Sequence, residues 1–203
     1  MSALQFATQI DAFLAAALEY GLSSLGGADG PIRLETSTRQ AAADVRAQPS
    51  GKARSTDAAY ATLSTRDRQG RQLLVSLGVC SFDYRLVLLF QVDDDAATRA
   101  FFGGGEVALD QLGEFVNLVC GSLNRSLQRA YPSTGMSTPF SMSGTCFDHI
   151  QILRPDLSAM LSFLLGSKIR LRIAYALSLG RDFAFVESDP VEESSSMGEL
   201  ELF

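Results

Sequence analysis

Apolar residues recur along this chain with two different periods. Leu4, Phe6, Ile10, Phe13, Leu14, Ala17, Leu18 and Leu22 follow the i, i+3, i+4 spacing of a helix packed on a core, and Gly26-Gly27 is a suitable stop for it. The same spacing returns in Leu109, Leu112, Val116, Val119, Leu123 and Leu127, which predicts a long helix ending near Tyr131-Pro132. Between these helices, alternating and β-rich runs predict strands over 32–36, 58–65, 72–80 and 85–92, with 58–65 pairing with 72–80 across a turn at 66–70. Asp93-Asp94-Asp95 then caps a short helix reaching Phe102, because acidic residues suit a helix N-terminus. Gly103-Gly104-Gly105 breaks the chain before the long helix.

Beyond the long helix, residues 136–142 contain Pro139, which in a strand implies an edge or a bulge. Residues 156–165, after Pro155, read as an additional short helix, and 168–177 with 183–186 as a closing hairpin around 178–182. Residues 37–57, rich in Ala, Arg, Ser and Gln, read as a flexible insert, either a mobile loop or a poorly formed helix. Residues 188–203 are acidic and Ser-rich and read as a disordered tail. Residues 1–187 then form a single domain. Its consecutive strands are joined by hairpins, which implies an antiparallel sheet with long helices packed on it, an α+β fold.

Composition narrows the function. The chain has 203 residues and a formal net charge of −6, a balance that argues against nucleic-acid binding. Its three cysteines, Cys80, Cys120 and Cys146, are odd in number and widely spaced, which suggests a reduced, cytoplasmic setting. The N-terminus lacks the basic and apolar regions of a signal peptide. No apolar run is long enough to suggest a membrane span.

The chemistry concentrates on the long helix, in the run D-Q-L-G-E-F-V-N-L-V-C-G from Asp110 to Gly121. Asp110, Glu114, Asn117 and Gly121 are spaced by four, three and four, which puts all four on one helix face opposite the apolar stripe. Glu114 and Asn117 lie about 60° apart around the axis, so their side chains project together. Gly121 lowers helix stability by about 1 kcal/mol relative to Ala, and in return leaves room for a close approach.

Other constellations fail. His149 is the only histidine, and no G-x-S-x-G elbow accompanies it. Cys146 and His149 have C-x-x-H spacing, but Cys80 and Cys120 are too scattered to complete a zinc site. Three consecutive aspartates cannot converge on one ion in a helix, and the glycine triplet lacks the phosphate-loop pattern. Cys120 borders the polar face and reads as a small packing residue.

The order of elements, the motif D-x-x-x-E-x-x-N-x-x-x-G and the following S-T-P of Ser137-Thr138-Pro139 resemble the CheC/CheX/FliY group of chemotaxis phosphatases. That group marks its active-site helix with an Asp or Ser, then ExxN, then a proline downstream. Pro139 falls close to that spacing, though not on it. The run from Leu86 to Phe102 and the ending I-R-L-R-I-A-Y-A-L-S-L-G-R-D-F-A-F-V are similar to the elements that flank the motif in CheX-like domains.

The resemblance implies hydrolysis of the aspartyl phosphate of a response-regulator receiver such as CheY. The receiver supplies its own Mg²⁺ and lysine, and this chain is expected to bind no cofactor. Asn117 would orient the attacking water, since a carboxamide both accepts and donates without any pKa shift. Glu114 would pair with the receiver's lysine, and Asp110, Gly121 and Pro139 would serve docking. CheC carries two such helices, but here the first helix has Leu22 where Glu19 would need an Asn, so one site is expected. CheX members dimerise; a homodimer is allowed by the resemblance and not required by it, since the inserted segments could reshape such an interface. Two alternatives remain: a non-catalytic receiver-binding module, and an adaptor that uses the acidic tail ending L-E-L-F as a partner-binding peptide.

Overall fold

The computed structural model describes residues 3–25, 33–40, 71–103, 106–166, 168–181 and 183–186. Helix α1 spans Ala3–Leu25 and is followed by strand β1, Arg33–Gln40. Strands β2 (Gln72–Cys80) and β3 (Tyr84–Asp93) form a hairpin, then helix α2 (Ala96–Phe102) leads to the long helix α3 (Glu106–Ala130). Two short strands follow, β4 (Gly135–Met136) and β5 (Phe140–Met142), then a 3₁₀ segment, Gly144–Leu153. Strands β6 (Leu157–Leu165) and β7 (Ile169–Leu179) close the sheet. Among the described residues the seven strands form one antiparallel sheet in the order β1-β6-β7-β3-β2-β4, with β5 also paired to β2. The molecule is thus α+β, with both long helices packed on one face of an antiparallel sheet.

Alternation along the strands sorts side chains between two cores. Leu73, Val75, Leu77 and Val79 of β2 join Leu86, Leu88, Phe90 and Val92 of β3 beneath the helices. Leu74, Leu89, Ala174 and Ala176 point to the other face, where Phe147 and Ile150 of the 3₁₀ segment cover them. The central strands β3 and β7 are therefore buried on both sides, which explains their nearly unbroken apolar runs. Helix α1 crosses α3 closely at Gly21, where a Cβ would come within 3.0 Å of the Val119 carbonyl oxygen. A side chain there would press the two helices apart by a few tenths of an ångström, so glycine suits that approach.

The triple aspartate diverges as a cap should. Asp95 is the N-cap of α2 and accepts the Thr98 N–H at 2.8 Å. Asp94 accepts from Arg99 at 2.8 Å, and that hydrogen bond holds its carboxyl below the usual range. Asp93 lies 4.0 Å from Arg172.

Three expectations need correction. Residues 157–165 form a strand and not a helix, because Leu157–Leu165 fills the gap between β1 and β7 and pairs with both. Its Leu, Ala and Met residues have ample helix propensity, but tertiary pairing overrides it. Residues 183–186 are not a strand either. β7 is central, so β6 and β3 already occupy its two edges. Phe183 and Phe185 instead pack edge-on against Phe6, Phe13 and Tyr84, and Phe183 stacks on Tyr131. The Tyr131 hydroxyl donates to the Ala184 carbonyl at 2.7 Å and accepts the Val186 N–H at 3.2 Å. Finally, residues 37–40 of the expected insert belong to β1 and pair with β6. The rest of the insert, the expected strand at 58–65 and the tail at 188–203 lie outside the described residues.

Burial pushes the Tyr84 phenol up to about 12, partly offset by its 2.9 Å hydrogen bond with Thr134. A folded pKa above the unfolded value of about 10 means the stabilisation is intact below that pH and is lost as pH rises toward the folded value. Urea midpoints are expected to fall between those two pH values, and Tyr84→Phe should flatten part of that decline.

Candidate functional site

The rotation of α3 is set by its buried side. Leu112, Val116, Val119, Cys120, Leu123 and Leu127 all lie in the main core. With that side fixed, Asp110 and Glu114 are exposed, while Asn117 and Gly121 are half-buried along the same outward stripe. Burial also pushes the Cys120 thiol up, which leaves it a packing group with no nucleophilic character at neutral pH. Among the described residues, no side-chain hydrogen bond or ion pair within the chain engages Glu114 or Asn117. Their polar atoms are turned outward, available to a second molecule.

Pro139 reaches this helix by a specific route. The Gly78 N–H of β2 donates to Ser137 Oγ at 2.9 Å, and the Ser137 N–H donates to the Gly78 carbonyl at 2.8 Å. Ser137 Oγ in turn donates to the Thr138 carbonyl at 3.1 Å. The S-T-P step is thereby clipped to β2 between the short strands β4 and β5, a place where a residue without an N–H breaks no ladder bond.

Asp110, Glu114 and Pro139 meet in one open groove of about 460 Å³ between α3 and β5, whose other lining residues are Val75, Leu109, Gly113, Phe140 and Ser141. The lining carries two carboxylates and no cation, so the groove suits a basic group of a partner. Asn117 and Gly121 are not part of that lining; they continue the stripe one and two turns beyond Glu114. Three of the five residues singled out in the sequence therefore share the groove, and the other two extend it along the helix.

Gly121 differs from Gly21. A Cβ at Gly121 would meet nothing nearer than the Arg125 guanidinium at 3.8 Å, so the chain's own packing does not require glycine there. Gly121→Ala is expected to raise stability by about 0.5–1 kcal/mol in urea unfolding, since it removes a helix-interior glycine. If Gly121 is clearance for a partner, the same variant loses affinity for that partner while gaining stability.

Two groups escaped notice in the sequence. Phe140 borders the groove and is 54% exposed, its register opposite Ser76 turning its side chain to the sheet face away from α3, and Leu118, next to Asn117, is 56% exposed. Nothing in their local pattern separates an exposed apolar residue from a core one. In the first helix Leu22, the residue in the Asn slot, is fully buried, so no second copy of the stripe forms there. Among the described residues no three His, Cys, Asp or Glu side chains gather as metal ligands, and no helix is long and apolar enough to cross a membrane.

No family model and no curated protein matches the sequence. Solved structures do match. The chemotaxis protein CheX from Vibrio vulnificus is 15% identical, with a TM-score of 0.51 over 84% of this chain and 99% of that one. A CheC-like superfamily protein from Shewanella sp. PV-4 is 14% identical, with a TM-score of 0.51 over 88% of this chain and 99% of that one. A chain of the CheX–CheY–BeF₃–Mg²⁺ complex from Borrelia burgdorferi is 13% identical, with a TM-score of 0.52 over 83% of this chain and 97% of that one. The order of elements, the antiparallel sheet and these alignments over most of each chain agree: the protein has a CheX-like fold.

Proposed function

We propose that the protein is a response-regulator phosphatase that hydrolyses the aspartyl phosphate of a CheY-like receiver. The observation that carries this reading is the pair Glu114 and Asn117, one turn apart on the outward face of a helix whose other face is locked in the core. The fold shared with CheX proteins, including one solved in complex with CheY, supports the choice of partner.

The reaction asks little of the auxiliary protein. The acyl phosphate is reactive, and the receiver provides its own Mg²⁺ and lysine. What is missing is a water held in line with the phosphorus–oxygen bond to be broken. Asn117 orients that water through its carboxamide. As the water oxygen bonds to phosphorus, the bond to the receiver's aspartate breaks, releasing inorganic phosphate and a carboxylate. Glu114 pairs with the receiver's lysine and fixes the register of docking. Asp110 and Pro139 border the same groove and serve docking, and Gly121 leaves clearance. The reading implies a cytoplasmic protein.

The test is direct. Receiver domains from the source organism are phosphorylated, mixed with the protein and followed for loss of phosphate. Faster loss with at least one receiver supports the phosphatase; binding without acceleration would make it a non-catalytic module of the same fold. Glu114→Ala is expected to weaken receiver binding and lower kcat/KM together, each by roughly tenfold or more, since one residue serves both docking and register. A Glu114→Ala variant with wild-type affinity would remove Glu114 from the docking contact.

A further inference from the structure

Helix α3 turns a cationic and apolar stripe to solvent along its C-terminal half. At 100° per residue, Glu114, Leu118, Gly121, Arg125 and Arg129 fall within about 80° of one another around the axis. Leu118, Arg125 and Arg129 are exposed. The Arg125 guanidinium borders Gly121, 3.8 Å from where a Cβ would stand. From the C-terminal end of the helix the stripe therefore begins with two arginines, passes a glycine and a leucine, and ends at Glu114.

The chain itself supplies a segment of matching chemistry. Residues 187–203, outside the described residues, hold six acidic residues and no basic one, so they account for the whole formal net charge of −6 and the rest of the chain is neutral. They begin beside the cationic end of the stripe: the Val186 N–H donates to the Tyr131 hydroxyl at 3.2 Å, and Tyr131 follows Arg129 by two residues. Order agrees as well as charge. Glu192 and Glu193 come first along the segment and the E-L-E-L-F run of 199–203 comes later, just as a path leaving Tyr131 meets the arginines before Leu118. Leu200 stands fourteen residues beyond Val186, an extended reach of about 46 Å, against about 20 Å of helix between Tyr131 and Leu118.

We propose that residues 187–203 dock along this stripe of their own chain, Glu192 and Glu193 against Arg129 and Arg125, and the apolar residues of 199–203 against Leu118. Tethering favours the contact, because a linked segment meets its site at an effective concentration in the millimolar range. Exposed ion pairs are individually weak and screened by salt, so the docking is reversible and salt-sensitive. Its consequence for the site rests on the phosphatase reading: the stripe includes Gly121 and ends at Glu114, so a docked segment and a receiver exclude one another, and the segment tunes receiver affinity.

A nitroxide attached at Ser195→Cys, in the full chain carrying Cys80→Ser and Cys146→Ser, tests the placement by nuclear magnetic resonance. Amide signals of residues 118–129 are expected to relax faster at low salt. That enhancement should fall at least threefold in Arg125→Gln/Arg129→Gln and in Glu192→Gln/Glu193→Gln, which alter the contact from its two sides. Arg85→Gln/Arg154→Gln is the control and should leave it unchanged, since Arg85 faces the sheet surface away from α3 and Arg154 follows the 3₁₀ segment that covers that surface. Relaxation confined to another surface, or unaltered in both test pairs, would overturn the docking. So would enhancement in an isotope-labelled chain mixed with nitroxide-bearing chain, which would assign the segment to a second copy. Receiver Kd, measured with beryllofluoride-loaded receivers, is expected to fall about fivefold in Glu192→Gln/Glu193→Gln. An unchanged Kd beside established docking would overturn the exclusion and leave the phosphatase standing. A wild type that binds no receiver would reject the phosphatase reading and the exclusion with it, and leave the docking to stand or fall on the nitroxide result.

Discussion

Asn117→Ala is expected to remove the acceleration of receiver dephosphorylation, by roughly 100-fold or more, while leaving receiver affinity within about twofold of wild type. The separation follows from the division of labour on α3. Glu114 and the groove residues offer the charge that a partner would pair with, whereas Asn117 lies outside the groove lining. An amide that positions one water acts on the transition state and contributes little to ground-state docking, so the loss should appear in kcat with KM nearly unchanged. Asn117→Asp is a sharper variant: it is nearly isosteric but loses the donor and adds a negative charge beside Glu114. Its affinity should fall if a phosphoryl group docks nearby. Wild-type acceleration by Asn117→Ala would reject Asn117 as the water-orienting residue.

The second large effect concerns the platform beneath the helix. Phe90→Ala is expected to destabilise the chain by about 3–5 kcal/mol, a large share of a domain's usual 5–15 kcal/mol. Phe90 is fully buried in the middle of β3 and faces the helices. It pairs in register with Val75 on one side and Ile173 on the other, so three adjacent strands lose a common packing partner. Urea unfolding followed by circular dichroism checks this: the midpoint should drop sharply at an unchanged slope. Loss of receiver binding in this variant would reflect unfolding and would carry no information about the groove.

How much of this was legible in the chain depended on whether local pattern or tertiary placement decided the outcome. The stripes of both long helices were readable because their apolar period of 3.6 survives in the folded state, and β2, whose Gln72–Cys80 bounds match the expected 72–80, was readable from its β-rich run and flanking turns. The polar stripe of Asp110, Glu114, Asn117 and Gly121 followed from the same arithmetic. Pro139 was different: its placement in the groove depends on Ser137 clipping to Gly78 across the sheet, which no local spacing reveals. The segment Leu157–Leu165 was misread because good helix formers were recruited into a strand with two neighbours. The alternation of Phe183 and Phe185 does mark one buried side, but that side meets α1 and Tyr131 instead of a ladder. The 3₁₀ segment left a weak trace in Phe147 and Ile150, three residues apart, which is its own period.

The strands bordering the groove carry one more consequence. β4 and β5 contribute two and three residues to the sheet, with Pro139 interposed. An edge cut into pieces this short, and interrupted by a residue lacking an N–H, offers a passing chain too few aligned backbone groups to extend the sheet. The protein can thus keep an exposed phenylalanine beside its groove without inviting strand-to-strand self-assembly there. Any contact made at this edge is left to side chains, because the backbone there cannot extend the sheet.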